Sequence, residues 1–419
     1  MTRVVVIGAG VVGLASAVEL LRDGHAVTVL EPGTPGGEQA ASYGNGTLLN
    51  PSSVIPMSAP GLWKKLPGYL NDPLGPLTIR WSYLPRMLPW LRRFLLAGST
   101  AAKVAATARA LQPLLADAPA LHRRLAEQAG VGELITRQGV LFAFPDRAAF
   151  EAEALSWSVR RDNGTKWLEL NEDELRQREP SLDRRYRFAV LVEDNGQCRD
   201  PGAYVAALAG HVTALGGHIV QTGATGLRIE AGRLRAVHTR DGEVACDRAV
   251  IAAGAFSKPL ARAAGDRVLL ETERGYHVVI ADPGVEPRYP VMPSDGKMAC
   301  VMTPAGLRLA GQVELAGLHA EPNWQRAEVL LKFARKVYPN LPADLPAERV
   351  KLWMGHRPST PDGLPVLGLA SGCADVVHAF GHGHVGLTAA AMTGKLVADL
   401  VAGRTPPFDL APYAAARFR

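Results

Sequence analysis

Two places in this 419-residue chain combine residue types and spacings that could do chemistry. The first is Gly8-x-Gly10-x-x-Gly13, with Glu31 downstream. Gly8 permits a tight turn, Gly10 lets backbone approach a pyrophosphate, and Gly13 lets a helix pack close to a strand. The helix that follows offers free N–H groups and a partial positive charge to phosphates. Glu31 would accept hydrogen bonds from a ribose diol, which argues against a 2′-phosphate. This motif alone leaves NAD and FAD both open. The second place is "KLWMGHRPSTPDGLPVLG" (Lys351–Gly368), which reads as a proline-rich loop around Arg357. A guanidinium is a rigid fork of donors that can grip a carboxylate through two parallel hydrogen bonds. Taken alone, an arginine bracing its own loop through carbonyls is the more ordinary reading.

Three further stretches could serve a dinucleotide. "ASYGNGTLL" (Ala41–Leu49) is small, polar and glycine-rich, so its backbone could wrap a flat ring; a surface loop is the plain alternative. "AVIAAGAFS" (Ala249–Ser257) is a strand ending in Ala-Ala-Gly, which lets the chain pass close to a cofactor. "AFGHGHVGLTAAAMTGKLVADL" (Ala379–Leu400) is a glycine turn and a helix starting near Gly386, whose N-terminus could stabilise an anionic ring oxygen. His382 and His384 have no Cys, Asp or Glu nearby in sequence. They read as site-lining or hydrogen-bonding groups, and no metal is expected.

The elements that must position these residues follow from periodicity. Val4–Ile7 is an apolar run suited to a strand buried on both faces, a helix follows through Leu14, Val18 and Leu21, and Val27–Leu30 is the next strand. Residues 61–185 read as a mostly helical insertion with one short strand, Gly139–Phe144. From about Arg187 the α/β pattern returns, with Asp200 and Pro201 as N-cap and first residue of a helix. The expected class is α/β: a Rossmann-like domain with a central parallel sheet, plus a substrate domain on a mixed or antiparallel sheet with a helical insertion. The first takes residues 1–60, 186–268 and 350–419, the second 61–185 and 269–349.

A net charge of +6 with no polybasic run does not point to nucleic acid. Cys198, Cys246, Cys300 and Cys373 form no CxxC pair, so they read as reduced thiols in a cytosolic chain. A cleavable signal would remove the glycine motif, and no apolar run is expected to reach the roughly 18 residues that span a bilayer.

Together and in this order, the four glycine-bearing motifs resemble the D-amino acid oxidase superfamily of FAD-dependent amine oxidoreductases, nearest to its glycine oxidase and D-amino acid dehydrogenase branch. The resemblance covers nearly the whole chain. It implies noncovalent FAD, held by Gly8, Gly10, Val11, Val12 and Gly13 at the pyrophosphate and Glu31 at the ribose. It further implies Ser42, Gly44, Asn45 and Gly46 along the ribityl chain and ring, Ala224 at adenine, and Ala252, Ala253 and Gly254 at the strand end. Gly383, Val385, Gly386, Leu387 and Thr388 would meet the pyrimidine edge. The family pattern Gly-x-Arg-Pro-x-(Ser/Thr)-x-Asp-Gly carries the carboxylate ligand and fits Gly355–Gly363, which makes Arg357 the substrate anchor. A carboxylate-holding tyrosine of some relatives has no clear match; Tyr276 is the candidate substitute, with His277 on the other face of its strand. His384 stands where some relatives have arginine, and His356 replaces a small apolar residue beside Arg357.

The implied reaction is oxidation of a small D-amino or cyclic imino acid, D-alanine-like or hydroxy-D-proline-like, by hydride transfer from Cα to flavin N5. No general base is assigned. Electrons would pass to a quinone-type acceptor, or to oxygen as in a glycine or sarcosine oxidase. In "IRWSYLPRMLPWLRRFLL" (Ile79–Leu96), Trp81, Leu84, Leu88, Leu91 and Leu95 fall at helical spacing among arginines. That helix could lie on a membrane face of the cytoplasm or, the preferred reading, pack over the substrate domain; Pro85 and Pro89 should interrupt it. An NAD-dependent dehydrogenase and a non-catalytic flavin subunit are the rival readings.

Overall fold

The structure, a computed structural model, describes residues 1–64, 68, 74–75 and 77–419. The expected start of the insertion at residue 61 runs into residues 65–67, 69–73 and 76, which lie outside the described residues.

The chain begins with strand β1 (Arg3–Ile7), helix α1 (Val11–Arg22) and strand β2 (Ala26–Leu30). Val4 to Ile7 are buried, as a strand covered on both faces must be. The six-stranded sheet runs His218–Val220, β2, β1, Arg248–Ile251, Val376–Phe380 and Val366–Leu369. Every pairing is parallel except the last. Asp200 caps the helix Pro201–Ala214 by accepting from the Ala203 N–H at 3.0 Å. The final helix, Gly386–Ala402, lies against α1 so closely that a Cβ on Gly394 would come 2.7 Å from Ala15 backbone. Gly383–Ala402 is long and apolar enough by composition to cross a membrane, but it is interrupted by Lys395 and Asp399, is 67% buried within the fold and serves as a core helix.

The second unit is a nine-stranded mixed sheet. At one end lie β3 (Glu271–Ile280), β4 (Gly306–Leu315) and β5 (Val350–Ser359), with β3 antiparallel to both neighbours. Farther along are Val140–Phe144 and Phe188–Val192, paired antiparallel. Residues 350–359 and 188–192, expected in the first domain, pair with strands of this sheet. Arg357 is consequently not in a loop: ten residues including Pro358 make a continuous strand whose hydrogen bonds go to β3.

Helix α2 (Leu84–Ala97) is also continuous, against expectation. Pro85 sits in the first turn, where its missing N–H costs nothing, and Pro89 is accommodated within it. Its buried face is Met87, Trp90, Leu91 and Phe94, packed on Val313 and Leu315 of β4. The expected stripe is thus rotated: Trp81 and Leu88 are exposed. Trp90 Nε1 donates to the Ser359 carbonyl at 3.1 Å, fastening α2 to the end of β5.

Candidate active site

The glycine turn after β1 is built as its residue types require. Gly8 has φ +107°, and a Cβ there would stand 2.6 Å from the Ala252 carbonyl oxygen. A Cβ on Gly13 would fall 1.9 Å from the Gly8 oxygen, so the turn, α1 and the strand-end motif Ala252–Gly254 close on one another only without side chains. Gly10 is the N-cap of α1 and has no side chain to fill it; Ser42 Oγ accepts from the Val11 N–H at 3.1 Å. Val12 and Gly13 follow in the first turn, where N–H groups lack intrahelical partners. The Glu31 carboxylate accepts from Ala9 N at 2.8 Å and Gly33 N at 3.1 Å, so it faces the turn from the end of β2. The Glu31 N–H donates to the Val220 carbonyl, which brings the chain leading to Ala224 beside it. This is a cradle that an adenine dinucleotide fits: bare backbone, a helix N-terminus and a carboxylate for the ribose.

The Ala41–Leu49 loop joins that cradle to the nine-stranded sheet. Arg308 of β4 is buried and donates to the carbonyls of Tyr43 at 3.3 Å and Asn45 at 3.0 Å, while its Nε has no partner. Burial lowers the Arg308 pKa against the pull of Asp200. His277 Nδ1 lies 3.3 Å from the Gly44 carbonyl, and its ring stacks on Trp353 at 4.9 Å. Burial, then Arg308, hold the His277 pKa at about 3, so the imidazole is neutral and donates. Gly44 and Gly355 leave room for the Trp353 ring, since a Cβ on either would come 2.0 Å from it. Gly46 approaches Ala310 of β4. On the far side, Thr388 Oγ1 accepts from Asn50 N and donates to the Leu48 carbonyl, both at 3.3 Å. Gly383, at φ +51°, Val385, Gly386 and the buried Leu387 form the turn into the final helix beside it.

Strand register decides which residues accompany Arg357. Glu273 lies opposite Arg357, Gly275 opposite Gly355, and His277 opposite Trp353. Opposed residues share a face, so these six form one face. Gly275 creates the space: a Cβ there would sit 2.2 Å from the Arg357 guanidinium. Arg357 NH1 donates to the Gln312 carbonyl at 3.1 Å. Gln312 has φ +62° at an irregularity of β4, the kind of bulge that re-aims groups at sites. Fully buried Arg326 holds the Gln312 side chain at 2.8 Å. Burial lowers the Arg357 pKa while Glu273 raises it.

Two expected substrate residues face away. Tyr276 and His356 alternate with the Arg357 face and point to the other side of the sheet. Tyr276 donates to Glu314 at 2.6 Å and accepts from Asn323 N at 3.0 Å. His356 Nδ1 lies 2.9 Å from Thr272 Oγ1. One-residue alternation thus places both on the face opposite the guanidinium. His384 is brought in, with Nε2 2.5 Å from Glu273 Oε2. His382 is buried, 3.1 Å from Thr393 Oγ1. Glu273, Gly275, Arg308, Gln312 and Trp353, which lie on or against the Arg357 face, were not named from the sequence; the Glu-x-Gly-x-His alternation in "ERGYH" was the available signal.

Residues 3–400 match the DAO family, described as FAD dependent oxidoreductase. The chain belongs to this family. It is an FAD-dependent oxidoreductase, and the residues of its cradle fit that cofactor. Among similar proteins is a "D-amino-acid oxidase" of Bradyrhizobium diazoefficiens, 58% identical over 99% of each chain. A "D-amino acid dehydrogenase" of Cereibacter sphaeroides is 32% identical, covering 99% of this chain and 95% of the relative. A glycine oxidase from Geobacillus kaustophilus has the same fold, with a TM-score of 0.73 and 25% identity over 100% of this chain and 99% of that one. The cysteines are all buried and free.

Proposed function

We propose that the protein oxidises small D-amino acids or cyclic imino acids at Cα, with the substrate carboxylate held by Arg357. The observation that carries this is the guanidinium lodged over Gly275 with, among the described residues, a single hydrogen bond, to the Gln312 carbonyl, which leaves the rest of its fork for a ligand. The bulged Gln312 and buried Arg326 hold that fork in place, and pre-aimed donors spend little entropy on binding. Trp353 and His277 wall one side of the site and fix the Ala41–Leu49 loop. When bound, FAD supplies the two-electron acceptor for hydride from Cα and passes the electrons onward. The relative named D-amino-acid oxidase, at 58% identity, favours oxygen as the final acceptor. A quinone-type acceptor is the second reading. The exposed apolar side chains Trp63, Trp81, Leu88 and Leu96, near arginines of α2, favour it as a surface that could meet a membrane.

Replacing Arg357 by Ala tests the assignment. KM for carboxylate substrates should rise about 100-fold or more, the cost of losing a charge-assisted bidentate grip. Bound flavin should remain, because Arg357 lies on the substrate sheet. An unchanged KM would sink the assignment.

A further inference from the structure

On the strand paired with that of Arg357 stands Glu273, which with His384 makes a carboxylate–imidazole pair that the reading above leaves without a task. Glu273 is 3% exposed and directly opposite Arg357 in register. Its Oε2 meets His384 Nε2 at 2.5 Å. A carboxylate this deep in the protein costs several kcal/mol unless it is paired. Arg357 does not pair with it: among the described residues the only side chain in an ion pair with Glu273 is His384. A cation and an anion are thus kept apart on one face, as an α-amino acid zwitterion requires. His384, its side chain 33% exposed, lines a small cleft together with Glu273, Ser359 and Gly383. In the neutral ring with Nε2 donating to Glu273, the lone pair lies on Nδ1. No protein group among the described residues bonds Nδ1.

We propose that His384, braced by Glu273 at Nε2, receives the substrate α-ammonium at Nδ1 and takes its proton. This rests on Arg357 holding the carboxylate. In the step, one ammonium N–H bond breaks, its electron pair stays on nitrogen, and the proton joins Nδ1. Glu273 stabilises the imidazolium from the Nε2 side, and the proton then leaves to water at the exposed edge. No redox change accompanies it; the product is the neutral amine, the form that can lose hydride from Cα. The charged and titratable groups around His384 are few. Glu273 and Arg357 come from the two strands. Asp362 is ion-paired to Arg417 at 2.8 Å. Burial holds His382 neutral, with its pKa at about 4. The remaining wall, Ser53, Ile55, Met57, Phe94 and Leu111, carries no charge.

The test uses FAD-loaded wild type, His384→Gln and Glu273→Gln, with whichever of D-alanine, D-methionine and D-proline wild type oxidises fastest. At about pH 7, His384→Gln should lower kcat/KM about 100-fold, within the usual range for a general base. The loss should shrink to about threefold near pH 10, where the amine sheds its proton to solvent. Glu273→Gln should lower it about 10-fold with the same closing trend. A loss equal at every pH, or none, overturns the proposal, since a merely structural role has no such pH signature. Titration of the bound flavin's spectrum with propionate, which lacks the amine, separates the two claims. Propionate should bind His384→Gln as it binds wild type and should be lost in Arg357→Ala. Loss in His384→Gln overturns the dyad; retention in Arg357→Ala overturns only the reading of Arg357.

Discussion

At the scale of single residues, Gly275 illustrates how an absent side chain sets a reactive geometry. The Arg357 guanidinium occupies the volume where a Cβ would stand, 2.2 Å away. The clash would be with the far end of a flexible side chain, so Gly275→Ala should fold almost normally. It should instead push the guanidinium off its position. A displacement of about 1 Å can cost about 100-fold in rate, so KM for a D-amino acid should approach that of Arg357→Ala while the melting temperature stays near wild type. Steady-state kinetics with a thermal melt checks this, and a normal KM contradicts it. The same scale shows what could be read beforehand. The turn glycine at position 8 was legible because its chemistry is local: the turn needs φ near +107°, and only glycine supplies it cheaply; the anchor role of Arg357 came from the family pattern alone. Glu273 was not legible, because its meaning depends on facing Arg357 across 84 residues of chain.

Among the elements, local patterns gave β1, α1 and β2 and the cap at Asp200, where hydrophobic period and capping chemistry agree. They failed at β5. Glycine and two prolines near Arg357 read as a loop, yet pairing with β3 makes residues 350–359 a strand. Tertiary pairing outweighed propensity there. That one misreading carried the others with it: a strand has faces, a loop does not, and only faces exclude Tyr276 and His356 from the guanidinium. The α2 stripe failed for a related reason. Leucine spacing favoured Leu84, Leu88 and Leu91, but the surface offered by Val313 and Leu315 selects Met87, Trp90, Leu91 and Phe94.

Across the whole molecule, two sheets meet at the Ala41–Leu49 loop, and buried imidazoles recur around that junction and in the core. Burial holds His122 and His382 at about 4 and His277, with help from Arg308, at about 3. His356, lowered by burial and then by Arg274, stands at about 4. In the unfolded chain each would titrate near about 6.5. Their folded pKa values are depressed, so the unfolded state binds more protons below that pH. The stability is fully present above about pH 6.5 and is lost as pH falls toward about 4. A thermal melt recorded across that window should fall steadily, and a flat melting temperature down to about pH 4 would contradict it.

The central claim joins both sheets: FAD in one unit oxidises a D-amino acid anchored in the other. Anaerobic mixing of the yellow holoprotein with D-alanine, D-methionine or D-proline, and with their L-enantiomers, tests it most directly. The visible flavin absorbance should bleach with at least one D-enantiomer at low concentration and persist with its L-counterpart. Bleaching by none of the D-compounds, or equally by both enantiomers, would contradict the account.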